Sequence, residues 1–191
     1  MNGRKLSMLA AILVLAAAIV VHRVEALHAD EHGITLASLA GGFAESDSGI
    51  GTTCVGGCAA PTKLVPVNRI DVGQLTFDDS GNFCGVLIAV GAVVAGQQSP
   101  AVTSDQTIVG MITAFDSVTE SGKTTFKVYT GGSCTGAVFN SNGSTFVGHG
   151  THKIVVSQNA NHIAVEITSV TNVTGTIAGA ILLGSLDRQN F

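Results

Sequence analysis

Positive charge is scarce in this 191-residue sequence, where 9 Lys and Arg stand against 13 Asp and Glu. A protein that grips nucleic acid needs a basic face for the phosphates, so nucleic acid is excluded as a partner. Anionic membrane surfaces are poor partners for the same reason. Long apolar runs are missing too: Leu9 to Val21 is an uncharged apolar stretch of 13 residues, whereas a helix needs roughly 20 to cross a bilayer. No G-x-S-x-G nucleophile motif occurs. "GGSCTG", residues 131–136, has glycines but lacks the Lys-Ser/Thr and the following helix of a phosphate loop. Cys54 and Cys58 have ligand-like spacing, yet a zinc site wants a second close pair, and Cys84 and Cys134 are 50 residues apart. These absences leave no catalytic residue and no cofactor to assign.

What is present begins with an export signal. Arg4 and Lys5 precede the Leu9–Val21 core, and Val24-Glu25-Ala26 places small residues at the −3 and −1 positions of a cleavage site. Residues 1–26 therefore read as a signal peptide, a helix removed after Ala26, with an uncleaved anchor as the alternative. No cysteine follows the core to carry a lipid. Cleavage leaves 165 residues with 6 basic and 12 acidic side chains, a net charge of −6. That is one domain's worth of chain. The expected location is secreted or periplasmic, with no membrane span after cleavage. All four cysteines lie in the exported part, and an even count in an oxidising compartment reads as two disulfides. Spacing leaves all three connectivities open.

Residues 27–66 read as an irregular Gly- and Cys-containing lead-in with one strand near Leu36–Phe43. From residue 67 to 191 the pattern is β. Runs rich in Val, Ile, Thr and Phe recur at Ile70–Phe77, Phe83–Ala95, Thr107–Val118, Thr124–Tyr129, Thr135–Asn140, Thr145–Val156, His162–Val170 and Val173–Leu186. Turn sequences such as "DDSGN", "ESGK", "SNGS" and "QNAN" separate them, and Asn142-Gly143 is a strong hairpin signal. No stretch of a dozen residues sustains a helical apolar face. Consecutive strands with mostly short turns point to an all-β fold, an antiparallel up-and-down β-barrel of about eight strands. A β-sandwich is the alternative. Phe126 and Val128 alternate with Lys127 and Tyr129, and Ile163, Val165 and Ile167 alternate with His162, Ala164, Glu166 and Thr168. One wet and one dry face per strand fits a barrel wall. "GVLIAVGAVVAG" and "IAGAILLG" are apolar on both faces, which suits burial on both sides or a contact in a homo-oligomer.

Three motifs carry a resemblance. Gly73-Gln74-Leu75-Thr76-Phe77-Asp78-Asp79-Ser80-Gly81-Asn82-Phe83-Cys84-Gly85 is followed by Phe126-Lys127-Val128-Tyr129 with Ser133-Cys134-Thr135-Gly136, and then by Gly184-Ser185-Leu186-Asp187-Arg188-Gln189. Together with "SLAGGFAESDSG" upstream, they resemble short secreted bacterial proteins with G-x-LTFDGxGNxSG, DCTG and RQ-type motifs. Those domains look similar to the allene oxide cyclase barrel and to lipocalin-like barrels. Asp79 departs from the glycine of that pattern, and "GGS" precedes the second cysteine. The resemblance implies the barrel fold and a Cys84–Cys134 disulfide, with Cys54–Cys58 as the second bridge.

Candidate chemistry is thin. Asp78 and Asp79 are adjacent, so a regular strand points them to opposite faces, and "DDSG" lacks the alternating oxygen ligands of a calcium loop. Asp79 and Asn82 read as turn-capping side chains. His152 and His162 could face each other across "QNAN" and are the weak metal candidates, while His149 falls on the opposite face from His152. Three function classes follow. The first is a non-enzymatic module binding a small apolar ligand or a protein partner. The second is a cyclase- or isomerase-like barrel acting on a lipid, with Glu166 or His162 pointing inward. The third is a self-associating surface protein. An apolar carrier needs a cavity of about 300 Å³ or more.

Overall fold

The computed structural model describes residues 33–55, 63–93, 102–157, 159–172, 177–178 and 181–189. The expected signal segment, and the Cys54–Cys58 bridge, lie outside this description. The strands are β1 (Gly41–Val55), β2 (Lys63–Phe77), β3 (Asn82–Val93), β4 (Val102–Asp116), β5 (Ser121–Thr130), β6 (Ser133–Thr135), β7 (Val138–Asn140), β8 (Thr145–Val156), β9 (His162–Asn172), β10 (Ile177–Ala178) and β11 (Ile181–Arg188). Among the described residues there is no α-helix, only a 3-10 turn at Leu36–Leu39.

β1, β2, β3, β4, β5, β8, β9 and β11 form a closed antiparallel barrel. β1 pairs with β2 on one side and with β11 on the other, and the β8–β9 pairing completes the circle. Closure leaves no edge for another chain to add to. Alternation sets the two faces. In β8, Gly148, Gly150, His152, Ile154 and Val156 turn inward, while His149, Thr151, Lys153 and Val155 turn out.

The interior at one end is dry. Phe43, Leu75, Phe77, Phe83, Val156, Ile163 and Leu186 pack there beneath Ile34 and Leu39. Phe43 meets Phe77 edge-to-face at 5.5 Å, and Phe77 meets Phe83 at 5.1 Å. Gly110 leaves the space that the Phe83 ring occupies. Arg188 seals this end: its guanidinium lies 4.7 Å above the Phe43 ring and donates to the carbonyls of Ser38, Ala40 and Ala160. Gly41 has φ +134, and a Cβ there would run into Arg188. The "SLAGG" and "LDRQ" motifs thus meet at one latch.

Two strands differ from their sequence reading. Leu36–Phe43 is not the first strand; the 3-10 turn comes first, and β1 starts at Gly41 and continues through the polar run to Val55. Pairing on both sides satisfies its backbone, so polar side chains do not prevent the strand. Thr135–Asn140 is not a barrel strand either. Positive-φ glycines at 131, 132 and 136 turn the chain back on itself, and β6–β7 forms a separate hairpin against the outside of β3. Cys134 of β6 is disulfide-bonded to Cys84 of β3, with Cα atoms 5.7 Å apart.

Candidate functional site

The stretch between β2 and β3 is a turn. Asp78, rather than Asp79, holds it: its carboxylate accepts from the backbone N–H groups of Ser80 and Asn82 at 3.0 and 2.8 Å and from the Asn82 side chain at 2.9 Å. The Asn82 amide and these N–H bonds keep the Asp78 carboxyl below its ordinary range. Asp79 is exposed and touches only the Ser80 hydroxyl at 3.4 Å.

The structure does not bring His152 and His162 together. His162 sits outside, with Nδ1 2.7 Å from the Asp187 carboxylate. Glu166 is outside as well, 3.3 Å from Lys153 Nζ. Neither supplies the inward polar group that a cyclase-like barrel would require. His152 does point inward, and it is buried. Its Nδ1 is 3.0 Å from the Thr124 hydroxyl, its ring stacks on Phe126 at 4.2 Å, and its Nε2 has no partner. Burial pushes its pKa down to about 3, so the ring is neutral at ordinary pH. A β-bulge between β8 and β9 falls beside it at Thr151/His152, the kind of irregularity that re-aims side chains.

Facing His152 across the barrel is a group of charges that no motif announced. Glu45 and Asp47 follow Phe43 on the inner face of β1, and Asp71 with Arg69 lies on the inner face of β2. Glu45, Asp47 and Asp71 are all buried. Asp47 stands directly opposite Asp71 in the β1–β2 ladder, and opposite Gly184 in the β1–β11 ladder. The Asp47 carboxylate lies across Gly184, in space that any side chain there would take. Asp71 is satisfied: Arg69 Nε donates to both of its oxygens at 2.8 and 2.9 Å, and Arg69 reaches Gln106 Oε1 at 3.3 Å.

Among the described residues, Glu45 and Asp47 make no ion pair, although the Arg69 charge acts to lower both carboxyls. Glu45 Oε2 and both oxygens of Asp47 are buried without a partner. Burial, reinforced by the Asp47 charge, pushes the Glu45 carboxyl well above its ordinary range. Burial likewise raises Asp47 to about 6, and the adjacent Glu45 carboxyl works against this shift. A proton kept on Glu45 supplies the donor that the Asp47 oxygens otherwise lack, and it removes one of two buried like charges. Between Glu45, Thr124 and His152 lies a cavity of about 10 Å³, walled by Leu75, Phe77, Phe83, Ile154, Ile163, Val165 and Leu186. That is room for about one water.

Sequence reasoning missed Glu45, Asp47, Arg69 and Asp71. The signal was period two: Phe43-x-Glu45-x-Asp47, and Arg69-x-Asp71-x-Gly73-x-Leu75-x-Phe77, counted back from core residues. Among the described residues, no three His, Cys, Asp or Glu side chains converge as metal ligands. No protein-family model and no curated protein matches the chain.

Proposed function

We propose that this chain is an exported, non-enzymatic interaction module that binds a protein partner through one flank of its barrel. The outer surface has two unlike sides. Ile70 and Val72 of β2, Val86 and Ile88 of β3, Ile50 of β1 and Ile181 and Leu183 of β11 are exposed large apolar residues on four neighbouring strands. Ile50 pairs with Ile181 and Val72 with Ile88, so the patch runs across the ladders. The opposite flank, β5, β8 and β9, presents Lys123, Lys127, Lys153, His149, Glu166 and His162, with Val155 and Phe146 of β8 as exposed large apolar residues among them. Contiguous exposed apolar surface marks a place where another surface docks, and this patch is the observation that carries the reading.

A carrier for a small apolar ligand is less well supported, because the cavity beside Glu45, Thr124 and His152 has room for about one water. The cyclase-like alternative has inward polar groups in His152 and Glu45. To test the proposal, a photo-crosslinking residue would be placed at Ile70 or, as a control, at Thr151, in protein exported by its own host. The expected result is one adduct of defined mass from Ile70 and none from Thr151. Equal labelling from both, or no adduct from Ile70, would sink it.

A further inference from the structure

We propose that the partner of the apolar flank is a second copy of this chain, docked about a two-fold axis so that an aliphatic ridge of each copy seats in a serine trough of the other. This rests on the reading of that flank as a docking surface and adds the partner's identity and geometry. Relief is the first observation. Ladder register sets Ser46 of β1 between Val72 of β2 and Ser185 of β11, and Ser48 between Ile70 and Leu183. Ser46 and Ser48 are exposed. On one side of them Ile70 and Val72, continued by Val86 and Ile88 of β3, form a broad exposed ridge. On the other side stand Ile181 and Leu183, 66% and 62% exposed. Serine is much shorter than isoleucine or leucine, so the outer wall of β1 is a trough between two ridges. A surface that carries a ridge beside a trough is complementary to itself after a two-fold rotation, which is the condition for an isologous contact.

Charge is the second observation. The outward positions in the rows of Val72 and Ile70, from β3 across β2 and β1 to β11, are aliphatic or serine, and none is ionisable. Charges begin at the rim, with Asp105 of β4 opposite Ile88 and Glu166 of β9 opposite Leu183. The chain has a net charge of −4, so two copies repel wherever their acids are apposed. Across the centre of this flank they meet without apposing like charges. Extent is the third. The closed barrel offers no edge for strand addition, so a second copy packs face to face, with sheets about 10 Å apart. Four strands about 4.8 Å apart, each contributing about 25 Å of length, give a footprint of roughly 500 Å² per copy and about 1,000 Å² for the pair. That is the lower end of what a specific interface buries, which sets the dissociation constant on the order of micromolar.

The test is the mass of the exported protein by light scattering and sedimentation, from about 1 to 200 μM. The wild type is expected to pass from one chain's mass to two across that range. Ile70→Lys, which places a charge on the ridge, should weaken association by more than about tenfold. Ser48→Phe fills the trough and should do the same, although it adds apolar surface that would strengthen a merely sticky patch. Lys127→Ala on the opposite flank should leave the transition unchanged. A wild type that stays monomeric throughout overturns the proposal, whatever the variants do. So does a dimer retained in Ile70→Lys or strengthened in Ser48→Phe. Photo-crosslinking from Ile70 separates this proposal from the broader docking reading. An adduct of twice the chain's mass supports both. An adduct of another mass rejects the second copy and keeps the docking flank, and no adduct rejects both.

Discussion

On the inner face of β1, two steps along the strand carry the chain from Phe43 to Glu45, and two more to Asp47. The sealed end of the barrel and its middle are therefore held by different physics. Around Phe43, Phe77 and Phe83, stability comes from apolar area removed from water and from close packing, neither of which depends on protonation. Around Glu45, Asp47, Asp71 and His152, each group is tolerated only while a proton, Arg69 or a hydroxyl compensates it. One end is unconditionally stable, and the other is stable under stated conditions.

The largest effect should come from the dry end. Phe83→Ala empties the space above Gly110 and is expected to cost about 3–5 kcal/mol, read as a lowered urea midpoint. A loss below about 1 kcal/mol would mean that this end is loosely packed. In the middle, Arg69→Met strips Asp71, which lies opposite Asp47, of its one ion-pair partner among the described residues. Because Arg69 is about a quarter exposed, the cost should be nearer 2 kcal/mol than the 3–5 of a fully buried pair. Adding Asp71→Asn to Arg69→Met should recover much of it; no recovery would show that Arg69 acts through packing alone.

Dependence on pH separates the two regions next. Asp47 holds its proton to about pH 6 in the folded state, against 3.8 for its ordinary value. Between those values the folded state binds more protons than the unfolded, so stability falls as pH rises from about 3.8 through about 6, by about 3 kcal/mol. Glu45 shifts in the same direction, because of its burial and the neighbouring Asp47 charge. His152 acts oppositely: its pKa of about 3 against 6.5 means that stability is lost as pH drops below 6.5. From about pH 4 to 6 the Asp47 loss should therefore offset the His152 gain in the wild type, whereas Glu45→Gln/Asp47→Asn should rise with pH from acid and stay flat above about 6.5. Parallel chemical-denaturation profiles for the two proteins would refute this. The smallest effect belongs to the outer wall, where Lys153→Ala breaks an exposed pair with Glu166 and should change stability by no more than about 0.5 kcal/mol.

Much of the barrel was legible because a strand writes its two faces into alternate residues. Phe126 and Val128, and Ile163, Val165 and Ile167, are buried as that alternation requires. The hairpin at Asp78–Asn82 was legible from its turn chemistry, although the capping carboxylate is Asp78. The expected strand at Thr135–Asn140 failed because composition alone does not say that three glycines take left-handed φ and lift the segment off the wall. β1 was hidden for another reason. Glu45, Ser46, Asp47 and Ser48 look like loop residues until pairing with both β2 and β11 satisfies their backbone.

By itself, the sequence determined an all-β chain of consecutive antiparallel strands and some of its turns, such as Asp78–Asn82. It could do so because alternation, glycine and asparagine act over a few neighbouring positions. Which polar groups share the interior was decided only by the closed sheet. Residues 45, 47, 69, 71 and 152 come from three strands, and ladder register and closure set Asp47 opposite Asp71 and turn His152 into the barrel shared with Glu45. Their burial, and with it their raised or lowered proton affinity, is a property of that shared enclosure and of no local stretch of chain.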